Sequence, residues 1–311
     1  MGRIALFGAT GAIGLSIGDA LRAEGIPFRV VGRSRSALAG KFGTDLLVET
    51  ATWNPDDESS IRQACSQIET VAYLVGVSYW DFQQHPVLMK KVIQAANSAG
   101  VARILLIGTV YPYGRPRTER VSEDHPREPH TFKGKMRKEQ EDLLLAAHAS
   151  GKIQGAVLRL PDFYGPKVEN SFMWSAFRAA KQGGRAQLVG PIDTPHEFLF
   201  VPDVGPVATR LINEPAAWGK AWNFGGYGVI TTRAFVDEIF AQAGRKPKFI
   251  VANKWMLRLM GLFNPFMREL VEMHYLLTTP VIMNDDRLRD LLGGLKKTSY
   301  EEGIRATLAA M

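Results

Sequence analysis

The sequence predicts an α/β fold, a doubly wound parallel sheet with a smaller mixed α/β C-terminal lobe. Three observations predict it. Short apolar runs alternate with segments of helical periodicity through the first half. A glycine-spaced turn joins the first run to the first helix. After "RLPDFYGP" the pattern changes to helical pieces rich in Met and aromatic residues. Alternating strands and helices point to a parallel sheet covered on both faces, whose buried strands read as continuous apolar runs.

The runs "RIALFG", "FRVVG", "TVAYLVG", "ARILLIG" and "GAVLRL" read as those strands. Between them, "IGLSIGDALRAEG", "DESSIRQACSQI" and "PVLMKKVIQAANSAG" read as helices. Gly25 and Gly100 suit helix C-caps, where a left-handed residue is wanted. The first domain spans 1–165 and the second lobe 166–311. The two interleave, because "HEFLFVPDVGPVATRLI" and "KAWNFGG" look like elements returning to the first sheet.

At 311 residues and 46% hydrophobic, the chain buries a sizeable core in one or two domains, and 22% charged residues argue against disorder. The single Cys65 allows no intramolecular disulfide and fits a reducing cytosol. Arg258 interrupts "WMLRLMGLF", so no apolar run reaches the roughly 18 residues of a membrane span. The strand pattern begins at Arg3, leaving no room for a signal peptide. A cytoplasmic protein with no membrane partner is expected, as a monomer or homodimer. The net charge of +7 draws on Arg115, Arg117, Arg120, Arg127, Lys133, Lys135, Arg137 and Lys138, diluted by nearby acids. No nucleic-acid-reading module and no interleaved stacking aromatics accompany them, so nucleic acid is not an expected partner. A small-molecule substrate is, and the basic segment reads as a solvated loop facing an anionic cofactor.

That cofactor is read from "FGATGAIG". Gly8, Gly11 and Gly14 lie three apart between a strand and a helix, with Thr10, Ala12 and Ile13 among them. Small residues let the backbone approach a pyrophosphate, and the N–H groups at the helix N-terminus hold its charge. At the end of the second strand stands "VVGRSRS", with Arg33 and Ser34 and no acid to accept ribose hydroxyls. A guanidinium there favours a 2′-phosphate, so NADP is expected, with NAD possible.

These motifs resemble the extended and atypical short-chain dehydrogenase/reductases, the NAD-dependent epimerase/dehydratase-like group. "GATGAIG" is similar to its GxxGxxG turn, and "LIGTVYPYG" to its strand-four motif, with Thr109 four residues before Tyr113. "RLPDFYGP", "HEFLFVPDVG" and "WNFGG" resemble further segments of the family. The resemblance implies a Rossmann fold and an oxidoreductase or epimerase. It implies cofactor contacts from Val75, Gly76, Pro161 and Phe163, and substrate contacts from Tyr111 and Tyr164; His196, near "PIDTPHEF", reads either as a substrate contact or as a satisfied structural histidine. The family's active-site helix reads Tyr-Gly-x-x-Lys, but here Lys133-Gly134 stands at Tyr-Gly and Arg137 at Lys. An isoflavone- and pinoresinol-reductase-like branch is similar in keeping a Lys here, and there it is the acid/base. That resemblance implies Thr109 orienting a substrate oxygen, Lys133 supplying the proton, and Arg137 holding the ribose. Residues i and i+4 share a helix face, so Arg137 should keep Lys133 acidic.

The expected function is therefore NADP-dependent reduction of a carbonyl or activated C=C of a small, apolar substrate. The alternatives are a sugar-nucleotide-type epimerase or dehydratase with retained cofactor, and a non-catalytic NADP-binding sensor. Phe172, Met173, Trp174, Phe177, Trp255, Met256, Met260, Phe263, Phe266, Met267 and Met273 read either as an apolar pocket or as helical core. No residues have metal-ligand spacing, so no metal is expected.

Overall fold

The computed structural model describes residues 3–43 and 45–311, and strand and helix alternate from its first element. In order come β1 (Ile4–Phe7), α1 (Ala12–Ala23), β2 (Phe28–Gly32), α2 (Arg35–Phe42), β3 (Val48–Thr52) and α3 (Glu58–Ala64). Then follow β4 (Thr70–Tyr73), α4 (Gln84–Ser98), β5 (Arg103–Thr109), α5 (Phe132–Ala149) and β6 (Gln154–Leu160). The second half holds β7 (Phe163–Tyr164), α6 (Trp174–Gln182), β8 (Ala186–Val189), β9 (Pro195–His196), β10 (Leu199–Phe200), α7 (Val204–Asn213) and β11 (Ala221–Asn223). It continues with β12 (Ile230–Thr231), α8 (Thr232–Gln242), β13 (Phe249–Ala252), α9 (Lys254–Met260), α10 (Pro265–Met273), α11 (Tyr275–Thr278), α12 (Asp286–Leu291) and α13 (Tyr300–Ala309).

Seven parallel strands form one sheet in the order β3-β2-β1-β4-β5-β6-β11. The order reverses between β1 and β4, and the crevice at the carboxyl ends of these strands is where such sheets take ligands. Alternate residues of each strand face opposite sides. Leu6, Val30, Ala72, Leu105 and Leu158 join one core with Leu21 of α1 and Leu211 of α7. Phe7, Val31, Val71 and Leu106 join the other with Met89 of α4 and Leu144 of α5.

All five expected strands form, and Gly25 and Gly100 close α1 and α4 at φ +66° and +77°. "KAWNFGG" returns to the sheet as β11 beside β6. "HEFLF" does not: its β10 pairs with β7, while α7 lies against α1. Ser16 Oγ accepts from Gly205 N at 2.9 Å, and a Cβ on Gly205 would stand 2.1 Å from Ser16 O. Only glycine permits that approach of the two helices. β3 has no counterpart among the expected strands because it is an edge strand with no fully buried residue.

One polar network ties α5 to the sheet. Arg159 of β6 and Glu141 of α5 are each 2% exposed. The guanidinium donates side-on to the carboxylate, Nε to Oε1 at 3.1 Å and Nη2 to Oε2 at 2.7 Å. Its Nη1 donates to Tyr113 Oη at 2.7 Å, and Tyr113 donates to Asn223 Oδ1 of β11 at 2.7 Å. Burial acts against the Arg159 charge, but Glu141 outweighs it and holds the guanidinium above its ordinary value. Arg127 also donates to Glu141 Oε2 at 3.1 Å, so Arg159→Leu, which leaves Glu141 only that partner, should cost up to about 3–5 kcal/mol, and adding Glu141→Leu should recover a large part of the loss. Urea unfolding of both variants measures this; a double variant no more stable than the single would contradict it.

A second buried carboxylate sutures the C-terminal segments. Glu197, 3% exposed, accepts from Met283 N at 2.9 Å and Gly226 N at 3.2 Å. Beside it, Asp285 pairs with Lys297 at 2.5 Å. Burial pushes Glu197 up from 4.5 to about 7. The folded state thus keeps this proton between those values while the unfolded state has lost it. Its contribution to stability is largest below about pH 4.5 and is lost as pH rises through about 7. The unfolding free energy of wild type, relative to Glu197→Gln, should fall between pH 5 and pH 8. A pH-independent difference would contradict the assignment.

Candidate cofactor and active site

The glycine turn caps the carboxyl end of β1. Gly8 has φ +88°, and a Cβ there would lie 2.7 Å from Leu74 O. A Cβ on Gly14 would lie 2.5 Å from Ala9 O. The fold itself demands these two glycines. Gly11 is different, because its Cβ would meet only Gly8 O at 3.6 Å. Its smallness leaves space outside the turn, where a ligand can approach. Gly11 is the N-cap of α1, which has no side-chain cap and no acid in its first turn. Among the described residues the amides of Ala12, Ile13 and Gly14 meet no protein acceptor. Lys41 of α2 donates to the Thr10 carbonyl at 2.6 Å, placing beside the turn a cation that no sequence motif marks. Val75 and Gly76 follow β4 directly across from Gly8. This cradle fits a pyrophosphate.

Arg33 and Ser34 lie exposed at the end of β2. Ser34 caps α2 by accepting from Ala37 N at 3.2 Å, and the first turn of α2 holds no acid. Among the described residues Arg33 has no side-chain partner, so its guanidinium is available to an anion.

Thr109 ends β5 and accepts from Tyr111 N at 3.3 Å. Tyr111 is 8% exposed, and its hydroxyl lies 3.3 Å from that of Tyr79. Burial, then Tyr79 and Asp162, push its phenol well above the ordinary value. Arg137, half-buried, donates to Gln140 Oε1 at 2.7 Å and to His85 Nδ1 at 3.2 Å. Burial and the adjacent Arg137 push His85 down to about 2, so the imidazole stays neutral and accepts.

Lys133 departs from expectation. It is 1% exposed, enclosed by the Tyr79 and Phe82 rings and by two carboxylates of α10. Its Nζ pairs with Glu269 and, at 2.7 Å, with Glu272, whose other oxygen accepts the Lys133 amide at 3.0 Å. The environment foreseen for a proton donor, a cation beside it and a nicotinamide above, is occupied by acids. The two glutamates follow a 30-residue stretch, 239–268, with no acid at all, which is the signal that marks them.

Across the crevice, Pro161 is buried and Phe163 is half-buried against the sheet core. Tyr164 belongs to the core of the second lobe. Its ring lies between Phe177, Phe200 and Phe235, and a Cβ on Gly303 would stand 2.2 Å from its hydroxyl. It is a packing residue, corrected from a substrate contact. His196 Nε2 pairs with Asp162 Oδ2 at 2.9 Å. Asp162 in turn lines a cavity with Phe172, Val189, Leu270, Met273 and His274. An acid inside the apolar segment "RLPDFYGP" is a readable sign of that role. Of the aromatic and Met residues, Met173 and Phe177 are core, Phe172 and Met273 line this cavity, and Trp255, Met256, Met260 and Phe263 are exposed. The side chain of Phe266 lies outside the described residues.

The model of the NAD dependent epimerase/dehydratase family matches residues 4–225. The dTDP-6-deoxy-L-talose 4-dehydrogenase (NAD(P)(+)) of Kitasatospora kifunensis is 29% identical over 258 residues, 78% of this chain and 79% of that protein. The mitochondrial NADH dehydrogenase (ubiquinone) 1 alpha subcomplex subunit 9 of Arabidopsis thaliana is 23% identical over 303 residues, 92% of this chain and 68% of that protein. Among solved structures, dTDP-glucose 4,6-dehydratase of Bacillus anthracis in complex with NAD superposes with a TM-score of 0.82 at 13% identity. That match covers 100% of this chain and 96% of the other, and shows the shared fold. The chain belongs to the NAD dependent epimerase/dehydratase family.

Proposed function

We propose that this chain binds NADP(H) and holds it as a retained or sensed cofactor, without the proton transfer typical of its relatives. The observation that carries this reading is the enclosure of Lys133. No substrate atom reaches its ammonium unless α10 moves, and the Tyr it replaces has no substitute on α5. The Arabidopsis relative, named as a subunit of a larger dehydrogenase, is in keeping with a binding role.

A second reading has its own support. The cavity beside Asp162 is lined by Phe172, Val189, Leu270, Met273, Leu276 and Leu277, and the Tyr111 phenol feels the Asp162 charge. As it stands the cavity has room for no more than about one water, so reduction of a small apolar carbonyl or enone there, with hydride from the nicotinamide and a proton from Tyr111, requires α10 to move. The Kitasatospora relative is named as a dehydrogenase.

One measurement tests the cofactor common to both readings, and a second separates them. NADP(H) should bind more tightly than NAD(H). Arg33→Ala should weaken NADP(H) by roughly 10- to 150-fold, the scale of one charge-assisted contact. Equal affinity of the wild type for both cofactors would remove the 2′-phosphate site. In stopped-flow and steady-state assays across a carbonyl and enone panel, wild type should bind NADPH stoichiometrically and not oxidise it. Turnover that drops about 10²–10⁴-fold in Lys133→Met would overturn the held-cofactor reading and make Lys133 the acid.

A further inference from the structure

Between Gly244 and Arg268 the chain carries Arg245, Lys246, Lys248, Lys254, Arg258 and Arg268 and not one Asp or Glu. With a chain total of +7, everything outside this stretch is within one charge of neutral. All six cations are exposed. The same stretch presents Trp255, Met256, Leu259, Met260, Leu262 and Phe263 to solvent, Trp255 at 75% and Phe263 at 87% exposure. These residues form α9 and the turn that leads to α10.

The projection is built rather than frayed. Asn253 caps α9 by accepting from Met256 N at 3.0 Å. Leu257, 1% exposed, anchors the inner face. Gly261 lets the two helices close, since a Cβ there would lie 3.0 Å from Arg268 Cα. The Arg258 guanidinium sits 5.2 Å from the Trp255 ring centre, so cation and indole share one face. A contiguous apolar face of this kind on a globular fold marks a binding surface.

We infer that this α9 projection docks the protein peripherally onto an anionic lipid bilayer. Trp, Phe, Leu and Met would enter the headgroup and acyl boundary, and Lys254 and Arg258 of the same helix would face the lipid phosphates on their aliphatic stems. Charge selects this occupant over a second copy of the chain, because a symmetric dimer through this face would bring two acid-free, cationic segments together. No spanning segment is needed. Among the described residues no helix is long and apolar enough to cross a membrane. The expectation of no membrane partner rests on the missing span and the missing signal-peptide pattern, neither of which tests docking at the surface.

Co-sedimentation of the full chain tests the inference, with vesicles of phosphatidylcholine alone or with about a third phosphatidylglycerol. Binding should be at least about tenfold stronger to the anionic vesicles and should weaken at high salt. Trp255→Ser with Phe263→Ser should weaken it about tenfold or more, and Lys254→Glu with Arg258→Glu should remove the preference for anionic lipid. Circular dichroism and thermal melts confirm that each variant folds. Absence of binding, or equal binding to both vesicle types, overturns the inference. So does a concentration-dependent dimer, seen by light scattering, that Phe263→Ser dissociates, because the face would then belong to self-association.

Discussion

The buried pair of Glu141 and Arg159 is the constraint on which the active end of the molecule depends. It joins α5 to β6 across the sheet face, and through Tyr113 and Asn223 it reaches β11. Lys133 and Arg137 precede Glu141 by two turns and one turn of the same helix, so pinning Glu141 fixes the rotation of α5 and with it both basic residues. A buried ion pair adds little net stability, because desolvation cancels much of the attraction. It contributes orientation, since any other rotation of α5 leaves a charge unpaired in the core.

That orientation gives Arg137 and Lys133 different fates. Arg137 points toward His85, Gln140 and the Tyr111 side of the crevice, where a fixed positive charge remains half-exposed. Lys133, one turn earlier, meets the underside of α10 and is neutralised there. A proton donor must touch both its substrate and a route to solvent. Arg137 lies along the crevice with burial acting against its charge, and Lys133 is enclosed. The consequence is that Lys133 holds α10 against α5 through Glu269 and Glu272.

Much of this is legible in the sequence. Buried parallel strands announce themselves because both faces are apolar, so five of the seven sheet strands read as runs, along with the Gly8–Gly14 turn and the return of "KAWNFGG". β3 does not, because an edge strand with exposed Glu49 and Thr50 has no such run. The site is legible only where backbone geometry forces residue type. Gly8 and Gly14 are compelled by atoms within 3 Å, whereas the role of Lys133 depends on Glu269 and Glu272, more than 130 residues away. No local pattern carries information about a partner that distant. Tyr164 misleads for the same reason: its neighbours in sequence fit a cleft, and its neighbours in space are Phe177, Phe235 and Gly303.

The acid-free stretch and the two glutamates after it divide one structural unit into opposite halves. α9 and its turn carry cations and apolar side chains outward, and α10 carries Glu269 and Glu272 inward to Lys133. Had the acids been spread evenly, the projection would lose its field and Lys133 its partners. Because Gly261 holds α9 against the first turn of α10, a force on one helix is transmitted to the other through packed backbone rather than through a flexible linker. The helix that encloses Lys133 is thus packed directly against the most exposed apolar surface among the described residues.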